Sequence, residues 1–528
     1  MDNKGIVAAV AALLVAGVAG GLAVWCELPP APLGMDAPPA VFSAARAIAG
    51  LRAIPESTVA HPNPSPAIEQ YRGHLVSRLR DLGYDAQVQT AVVWNKRRNA
   101  NATIGNVVAR LEGTRPNAAL LLSAHYDSVS NGPGATDDGI GVAALLEIAR
   151  ILRSEPKPCN PVIFLFADAE EQGLLGSRAF VARHPWAGTV KVVLNIDAGG
   201  DRGPSSVVET GPGSRRLAEL FARVVARPSG SSANHEFRRL FSARPDDSDF
   251  YPFRMAGAAG FYFANFYGKN VVHSPRDTPG AVPLDTLQHH GDNVLAMARA
   301  LRNADLDAIQ SGESVFTSLF GRVVVYYPAE WARPLSLLCA ALAAVALWRL
   351  RPRERLLPQL LAWPAGIIVS VAVGVGASLA LKAAFGERTF LPRPFVAASV
   401  TVTLSLAAFF AVERFFGRWL SRAGLAGGML AWWGTLAVAL SFWNPGLSYL
   451  LTWPAMALAV AALLVPEGRL WLALPITILP GAILFIPLIV QIVLGVSPLH
   501  PFAPLFGVLA AGFAAPGFHG APADRSDS

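Results

Sequence analysis

Two kinds of apolar patterning divide the chain. From about residue 40 to 329, short apolar runs bounded by Gly, Pro and Asn alternate with stretches whose apolar residues recur every three or four positions. The runs YDAQVQTAVVW, IGNVVARLEG, ALLLSAH, PVIFLFADAEE, VKVVLNIDAGG and AAGFYFAN predict strands. The periodic stretches predict helices: FSAARAIAGLRAI, AIEQYRGHLVSRLRDLG closed by Gly83, the segment from Gly141 to about Arg153, the segment after Gly173, GSRRLAELFARVVA and PLDTLQHHGDNVLAMARAL. Strands alternating with helices predict an α/β fold, a three-layer sandwich with a mixed, mainly parallel central sheet.

The rest of the chain is nearly all hydrocarbon. After Met1–Lys4, a run of about 21 apolar residues is long enough to cross a bilayer. It is long for a cleaved signal and lacks a small-x-small site, so an uncleaved anchor is expected. Trp25 before Cys26 is too bulky for a lipoprotein site. ELPPAPLGMDAPP predicts an extended, poorly structured linker. After Pro328, apolar runs cover roughly 334–350, 360–382, 395–412, 425–443, 447–465, 470–493 and 502–518, the last short and interrupted by Pro504 and Pro516. With the anchor they make eight expected spans and a C-terminal all-α multi-span membrane domain. The expected boundaries are 1–27 for the anchor, 28–39 for the linker, 40–329 for the α/β domain, 330–520 for the membrane domain and 521–528 for a polar tail.

Charge sets the expected orientation. Arg349, Arg351, Arg353 and Arg355 follow one apolar run, and Arg414, Arg418 and Arg422 follow another. Short arginine-rich loops stay in the cytoplasm. With Lys4 also inside, the anchor carries the α/β domain out and both termini fall in the cytoplasm. The net charge of +7 is spread arginine, with no basic stripe interleaved with aromatics, so nucleic acid is not an expected partner. Of the three cysteines, Cys26 and Cys339 lie in or beside apolar runs, so with Cys159 they imply no disulfide framework. No cluster of acids or lysines lies inside the runs, and Lys382 stands near a span end where it can snorkel. Trp432, Trp433 and Trp443 read as an interfacial belt.

Each expected strand end delivers a metal-binding side chain. AHYDSVSNGPGATDDGIG, from Ala124 to Gly141, brings His125, Asp127, Asp137 and Asp138 into a loop between a strand and a helix. The next strand ends in Glu170-Glu171, the third at Asp197, and His273 follows a polar turn farther on. Two histidines, two aspartates and a glutamate make five donors. One zinc is satisfied by three protein ligands and water. Five donors with a bridging carboxylate suit two ions about 3.5–4 Å apart, leaving one glutamate free as a base.

The motifs AHYDS, PGATDDGIGVA, FADAEEQGLLGS, LNIDAGG and HSPRDT follow one another across about Gly105 to Leu301. In that order they resemble the cocatalytic zinc aminopeptidase family of bacterial leucyl aminopeptidases, aminopeptidase Y, glutamate carboxypeptidase and the glutaminyl cyclases. The resemblance implies that His125 and Asp197 hold one Zn²⁺, that Glu171 and His273 hold the other, and that Asp137 bridges them. It makes Glu170 the general base and Asp127 the partner that orients His125, a role the chemistry also favours. It implies a cis peptide between Asp137 and Asp138. The layout of anchor, peptidase domain and many spans resembles the endoplasmic-reticulum metallopeptidase and vacuolar membrane protease branch, as does DSDFYPF. Phe250 stands where soluble relatives often carry histidine.

The expected activity is therefore that of a membrane-anchored dinuclear zinc aminopeptidase acting on peptides with a free N-terminus outside the cytoplasm. A bacterial inner membrane and a periplasmic domain are the expected setting. A glutaminyl-cyclase-like acyltransferase with a single zinc is the second reading. The third is a non-catalytic binding module on a transporter-like membrane domain. Phe250, Tyr251 and Phe253 are candidates for an apolar substrate pocket or for core. Asp249, His235, Tyr262 and Tyr267 are candidates for contact with the site. His289 and His290 read as solvated or packed mid-helix residues.

Overall fold

The computed structural model describes residues 3–241, 247–350, 356–466, 472–500 and 502–512. The chain divides into two compact units, Glu27–Pro328 and Met1–Cys26 with Ala329–Ser528. Helix α1 (Asn3–Glu27) belongs to the second unit; in chain order the elements of the first are α2 (Ala44–Arg52), α3 (Pro66–Asp81), β1 (Gln87–Asn95), β2 (Ala100–Leu111), β3 (Ala119–His125), α4 (Gly139–Ser154), β4 (Val162–Ala167), α5 (Leu175–Arg183), β5 (Val190–Ala198), β6 (Ser206–Thr210), α6 (Arg215–Val224), α7 (Ser232–Phe241), α8 (Phe250–Met255), β7 (Ala259–Asn265), α9 (Leu284–Leu301), β8 (Ser314–Leu319) and β9 (Val323–Pro328).

Seven strands form one sheet in the order β1-β2-β4-β3-β5-β7-β6. The four central strands, β4-β3-β5-β7, are parallel, and the flanking pairs are antiparallel. Their sequences explain why. ALLLSAH and VIFLFA are buried at every residue, as strands covered on both faces must be. Alternation still sorts the faces. Leu120, Leu122, Phe164, Phe166, Leu194, Phe261 and Phe263 pack with α2, α3, α4, α6 and α9. Leu121, Ile163, Leu165, Val193 and Tyr262 pack with Phe180 of α5 and with Phe250 and Phe253 of α8. The result is the expected three-layer sandwich.

The helices begin where the sequence supplies caps. Ser43 and Ser65 accept the backbone N–H groups of Arg46 and Ile68, and Pro66 fills the first turn of α3. The proline-rich segment has no helix or strand, but it is pinned rather than loose. Arg46 donates to the carbonyls of Ala37 and Val41, each at 2.6 Å, and Gln288 accepts from the Leu33 N–H at 2.9 Å. The elements β6, α7, α8 and the β8–β9 hairpin were not anticipated.

In the second unit follow α10 (Ala332–Leu350), α11 (Leu356–Phe385), α12 (Pro394–Phe416), α13 (Arg422–Trp443), α14 (Pro445–Leu464), α15 (Leu474–Gly495) and α16 (Phe502–Gly512). Among the described residues seven helices, α1 and α10 to α15, are long and apolar enough to cross a membrane. The eighth expected span corresponds to α16, whose described part is 11 residues, and the remainder lies outside the described residues, as do Arg351, Arg353, Arg355 and the tail. Helix α12 buries Ala397, Ala398, Thr401, Ser405, Phe409 and Glu413 along one stripe. Gly366 and Gly374 of α11 allow close approach, since an added Cβ would meet Phe409 and Ser405. Two of the expected belt tryptophans belong to the bundle instead. Trp433 is buried against Trp363 at 4.7 Å, and Trp432 donates to the Leu360 carbonyl.

Candidate metal centre

The parallel strands deliver their C-terminal ends to one rim of the sheet. His125 ends β3, Glu170 and Glu171 follow β4, Asp197 lies at the end of β5, and His273 follows β7. Between β3 and α4 the chain must fold back tightly to bring Asp137 over His125. Gly134 makes the turn at φ +67°, where a Cβ would meet the Asp137 carbonyl at 2.6 Å. The Asp137–Asp138 peptide is cis, as the resemblance implies.

All seven sequence-selected residues gather here. His125 Nε2 lies 3.1 Å from Asp137 Oδ1 and 3.7 Å from Asp197 Oδ1. His273 Nε2 lies 3.0 Å from the other Asp137 oxygen and 2.9 Å from Glu171 Oε1. Asp137 therefore faces one histidine with each carboxylate oxygen. Two donor groups, His125–Asp138–Asp197 and Asp137–Glu171–His273, each have ligand atoms within 4.8 Å of one another. Asp138 is occupied otherwise. Its oxygens accept the N–H groups of His125 at 3.2 Å and Gly141 at 3.0 Å, so it caps α4 and steadies His125. Asp127 takes a similar part. His125 Nδ1 meets the Asp127 backbone carbonyl at 3.0 Å with the carboxylate 3.5 Å away, and that carboxylate accepts the N–H groups of Glu170 and Glu171.

The electrostatics point to a cation. Among the described residues no lysine or arginine pairs with Asp127, Asp137, Asp138, Glu170, Glu171 or Asp197. Burial raises the Glu170 carboxyl well above its usual range, and nearby Asp197, Asp249 and Glu171 push it the same way. Burial opposes a charge on His125, yet Asp127, Asp137 and Asp197 around it raise the imidazole well above its usual value. Asp137 is held low by His125 and His273 in spite of its burial. Oxygen and imidazole donors crowded without basic partners fit Zn²⁺ or a similar divalent ion.

Several supporting residues were not singled out in the sequence, although Asp277 and Asp168 lie within the motifs HSPRDT and FADAEEQGLLGS. Asp277 is buried, and its oxygens accept the N–H groups of Thr136 at 2.6 Å and Asp137 at 3.3 Å. Asn131 donates to the His273 carbonyl at 2.9 Å. Asp168 accepts from Gly105 N–H, Asn63 and Arg72, and burial raises its carboxyl to about 6. Of the remaining candidates, Asp249 is buried beside the site and raised to about 7, chiefly by that burial. Tyr262 donates to Asp197 at 3.3 Å under the Arg238 guanidinium. Phe250 and Phe253 are core, while Tyr251 lies under Arg178 and Arg254. His235 accepts the Thr210 N–H away from the ligands. His289 and His290 are fully buried, not solvated.

Residues 106–298 match the family model of Peptidase family M28. The resemblance read from the five motifs is thereby borne out. Over 263 residues the chain is 32% identical to endoplasmic reticulum metallopeptidase 1 of Mus musculus, covering 48% of this chain and 29% of that protein. Over 292 residues it is 28% identical to the vacuolar membrane protease of Eremothecium gossypii, covering 51% of this chain and 28% of that protein. The matched segment is thus under a third of the length of these relatives. Among solved structures, the Porphyromonas gingivalis glutaminyl cyclase is 20% identical, covering 49% of this chain and 99% of its own, at a TM-score of 0.41. BSAP, a zinc aminopeptidase from Bacillus subtilis, is 16% identical, covering 51% of this chain and 98% of its own, at a TM-score of 0.41.

Proposed function

We propose that this chain is a membrane-anchored dinuclear metallopeptidase, of the aminopeptidase type, with Zn²⁺ as its metal. The observation that carries this reading is the Asp137 carboxylate, with His125 at 3.1 Å from one oxygen and His273 at 3.0 Å from the other. A carboxylate between two imidazoles, each with a further acid beside it, suits two cations sharing one ligand. In this reading His125 and Asp197 hold one ion, Glu171 and His273 hold the other, and Asp137 serves both. Bound divalent cations supply Lewis acidity, making hydroxide available near neutral pH and polarising a carbonyl.

The chain's own residues do the rest. Glu170 accepts the proton of the attacking water and passes it to the departing amine. Asp127 orients His125 through its backbone carbonyl and fixes the Glu170–Glu171 backbone with its carboxylate, so base and ligand keep their spacing. Tyr262 holds Asp197. The acids at the rim also suit the free α-ammonium of a peptide.

The arginines flanking the apolar helices support an exported domain, with residues 40–329 outside and 330–520 in a bacterial inner membrane. The test is metal content measured together with hydrolysis of an aminoacyl-nitroanilide panel by the full chain. Two ions per chain and chelator-sensitive release of nitroaniline are expected. A chain that holds two ions yet is inert on every free-N-terminus substrate refutes the peptidase reading, and one ion per chain favours the acyltransferase.

A further inference from the structure

The segment after β5 and the segment after β7 run side by side beyond the sheet. Asp201 N–H donates to the Gly268 carbonyl at 3.1 Å, and Arg202 and Tyr267 exchange backbone hydrogen bonds at 3.0 and 2.8 Å. At the head of this pairing, the Asp201 carboxylate accepts three successive backbone N–H groups. Oδ2 takes Asn270 at 2.7 Å, and Oδ1 takes Val271 at 2.9 Å and Val272 at 3.0 Å. His273 is the next residue. It sits at φ +58°, a conformation that a residue with a Cβ rarely holds without support. The fit is close, for a Cβ on Gly268, which itself has φ +80°, would stand 2.8 Å from Asp201 Oδ2.

Three N–H groups converging on one carboxylate fix the direction in which the chain enters His273. Without that acceptor they turn toward water, and the loop gains freedom at the residue before the ligand. Asp201 also lies four positions after Asp197, so it ties the strand of one metal group to the loop of the other. We propose that Asp201 is a positioning residue that sets the orientation of His273, and thereby the metal affinity of the Asp137–Glu171–His273 group alone. This rests on the metal-centre reading above. The His125–Asp197 group does not depend on it, since Asp138 and Asp127 hold His125 and Tyr262 holds Asp197.

The experiment is a Co²⁺ titration of the metal-free full chain in detergent, read by the visible d–d absorption and by calorimetry. The wild type is expected to take two equivalents. Asp201→Ala is expected to keep the first affinity and to lose 10- to 100-fold in the second, the range for removing a group that orients a metal ligand. Asp201→Asn retains one acceptor oxygen and should fall between them. Equal weakening of both steps in both variants, or two unchanged steps, overturns the proposal. If Asp201→Ala fails to fold, the Asn variant alone decides, with its second step either selectively weakened or not. A wild type that takes no second equivalent refutes the dinuclear reading instead, so the two failures are distinct.

Discussion

Mild acid should destabilise the α/β domain through two histidines that take no part in the proposed chemistry. His289 and His290 sit side by side in α9 with no solvent access. Each ring is wired as a neutral tautomer. His289 Nδ1 accepts the Ser205 N–H and its Nε2 donates to the Arg227 carbonyl, while His290 Nδ1 meets Ser205 Oγ and its Nε2 meets Asn265 Oδ1. Burial lowers His289 to about 4 and His290 to about 3. Both folded values lie below the unfolded value, so the neutral rings favour folding above about pH 6.5, and that contribution fades as pH falls toward about 4 and 3. At pH 5 an unfolded histidine is nearly fully protonated and these two are not. The gap costs about 2 kcal/mol for each ring, or about 4 kcal/mol together, and hardly depends on how far below 5 the folded values lie. At roughly 2 °C per kcal/mol, that is about 8 °C of melting temperature between pH 7.5 and 5. Differential scanning fluorimetry of the full chain in detergent reads it. Burial lifts Asp168 to about 6 and Asp249 to about 7, inside the same interval, so the measurement is a comparison with His289→Gln and His290→Gln. Each variant should lose about 2 kcal/mol less than the wild type over that interval. Equal losses in all three chains would show that neither ring is held neutral, and the reasoning would fail.

Other outcomes follow from the same geometry. Glu170→Gln should retain both ions by metal analysis and lose at least ~100-fold in kcat on an aminoacyl-nitroanilide. Asp277→Ala strands the Thr136 and Asp137 N–H groups and should weaken metal binding by about tenfold, read by Co²⁺ titration. Gly291→Ala drives a Cβ into the buried Phe42 ring and should cost about 1–3 kcal/mol in thermal unfolding, with metal stoichiometry unchanged. Chelation should lower the melting temperature reversibly, since ions at a hundred times their Kd stabilise by about 2.7 kcal/mol.

What could be read from the sequence depended on length of pattern. The strands β3, β4 and β5 are short, mostly apolar runs rich in Val, Ile, Leu and Phe and bounded by turn residues, the pattern of strands buried on both faces. Strand β6 is five residues of SVVET, too short to show a period. The β8–β9 hairpin did carry strand-forming β-branched and aromatic residues, in SVFTSL and VVVYY, but its turn disguised it. Phe320 and Gly321 both sit at φ +54°, the geometry that Asn-Gly usually signals, and phenylalanine is not a residue one looks for there. The stretch around Trp432 and Trp433 failed for another reason: apolar composition marks a span but not which of its faces meets lipid.

The proposed ligands were legible as a set because imidazoles and carboxylates at strand ends are rare and chemically specific. Apart from Asp127, expected from the start to orient His125, their supports were not, because what they bind is backbone N–H, which almost every residue offers. Asp127, at the end of β3, holds the loop after β4. Asp277, beyond β7, holds the loop that presents Asp137. Asp201, after β5, holds the loop that presents His273. Asp138 holds the backbone of His125 itself. Each ligand-bearing loop is thus clamped by an acid from a neighbouring position on the rim. Repulsion would spread so many carboxylates apart, and amide donors at 2.6–3.3 Å oppose that by taking up part of each charge. The same bonds that make the acids tolerable also fix the loops that carry the donors. Metal affinity in such a centre depends on residues that touch no metal, and a search of the sequence for ligands alone passes over them.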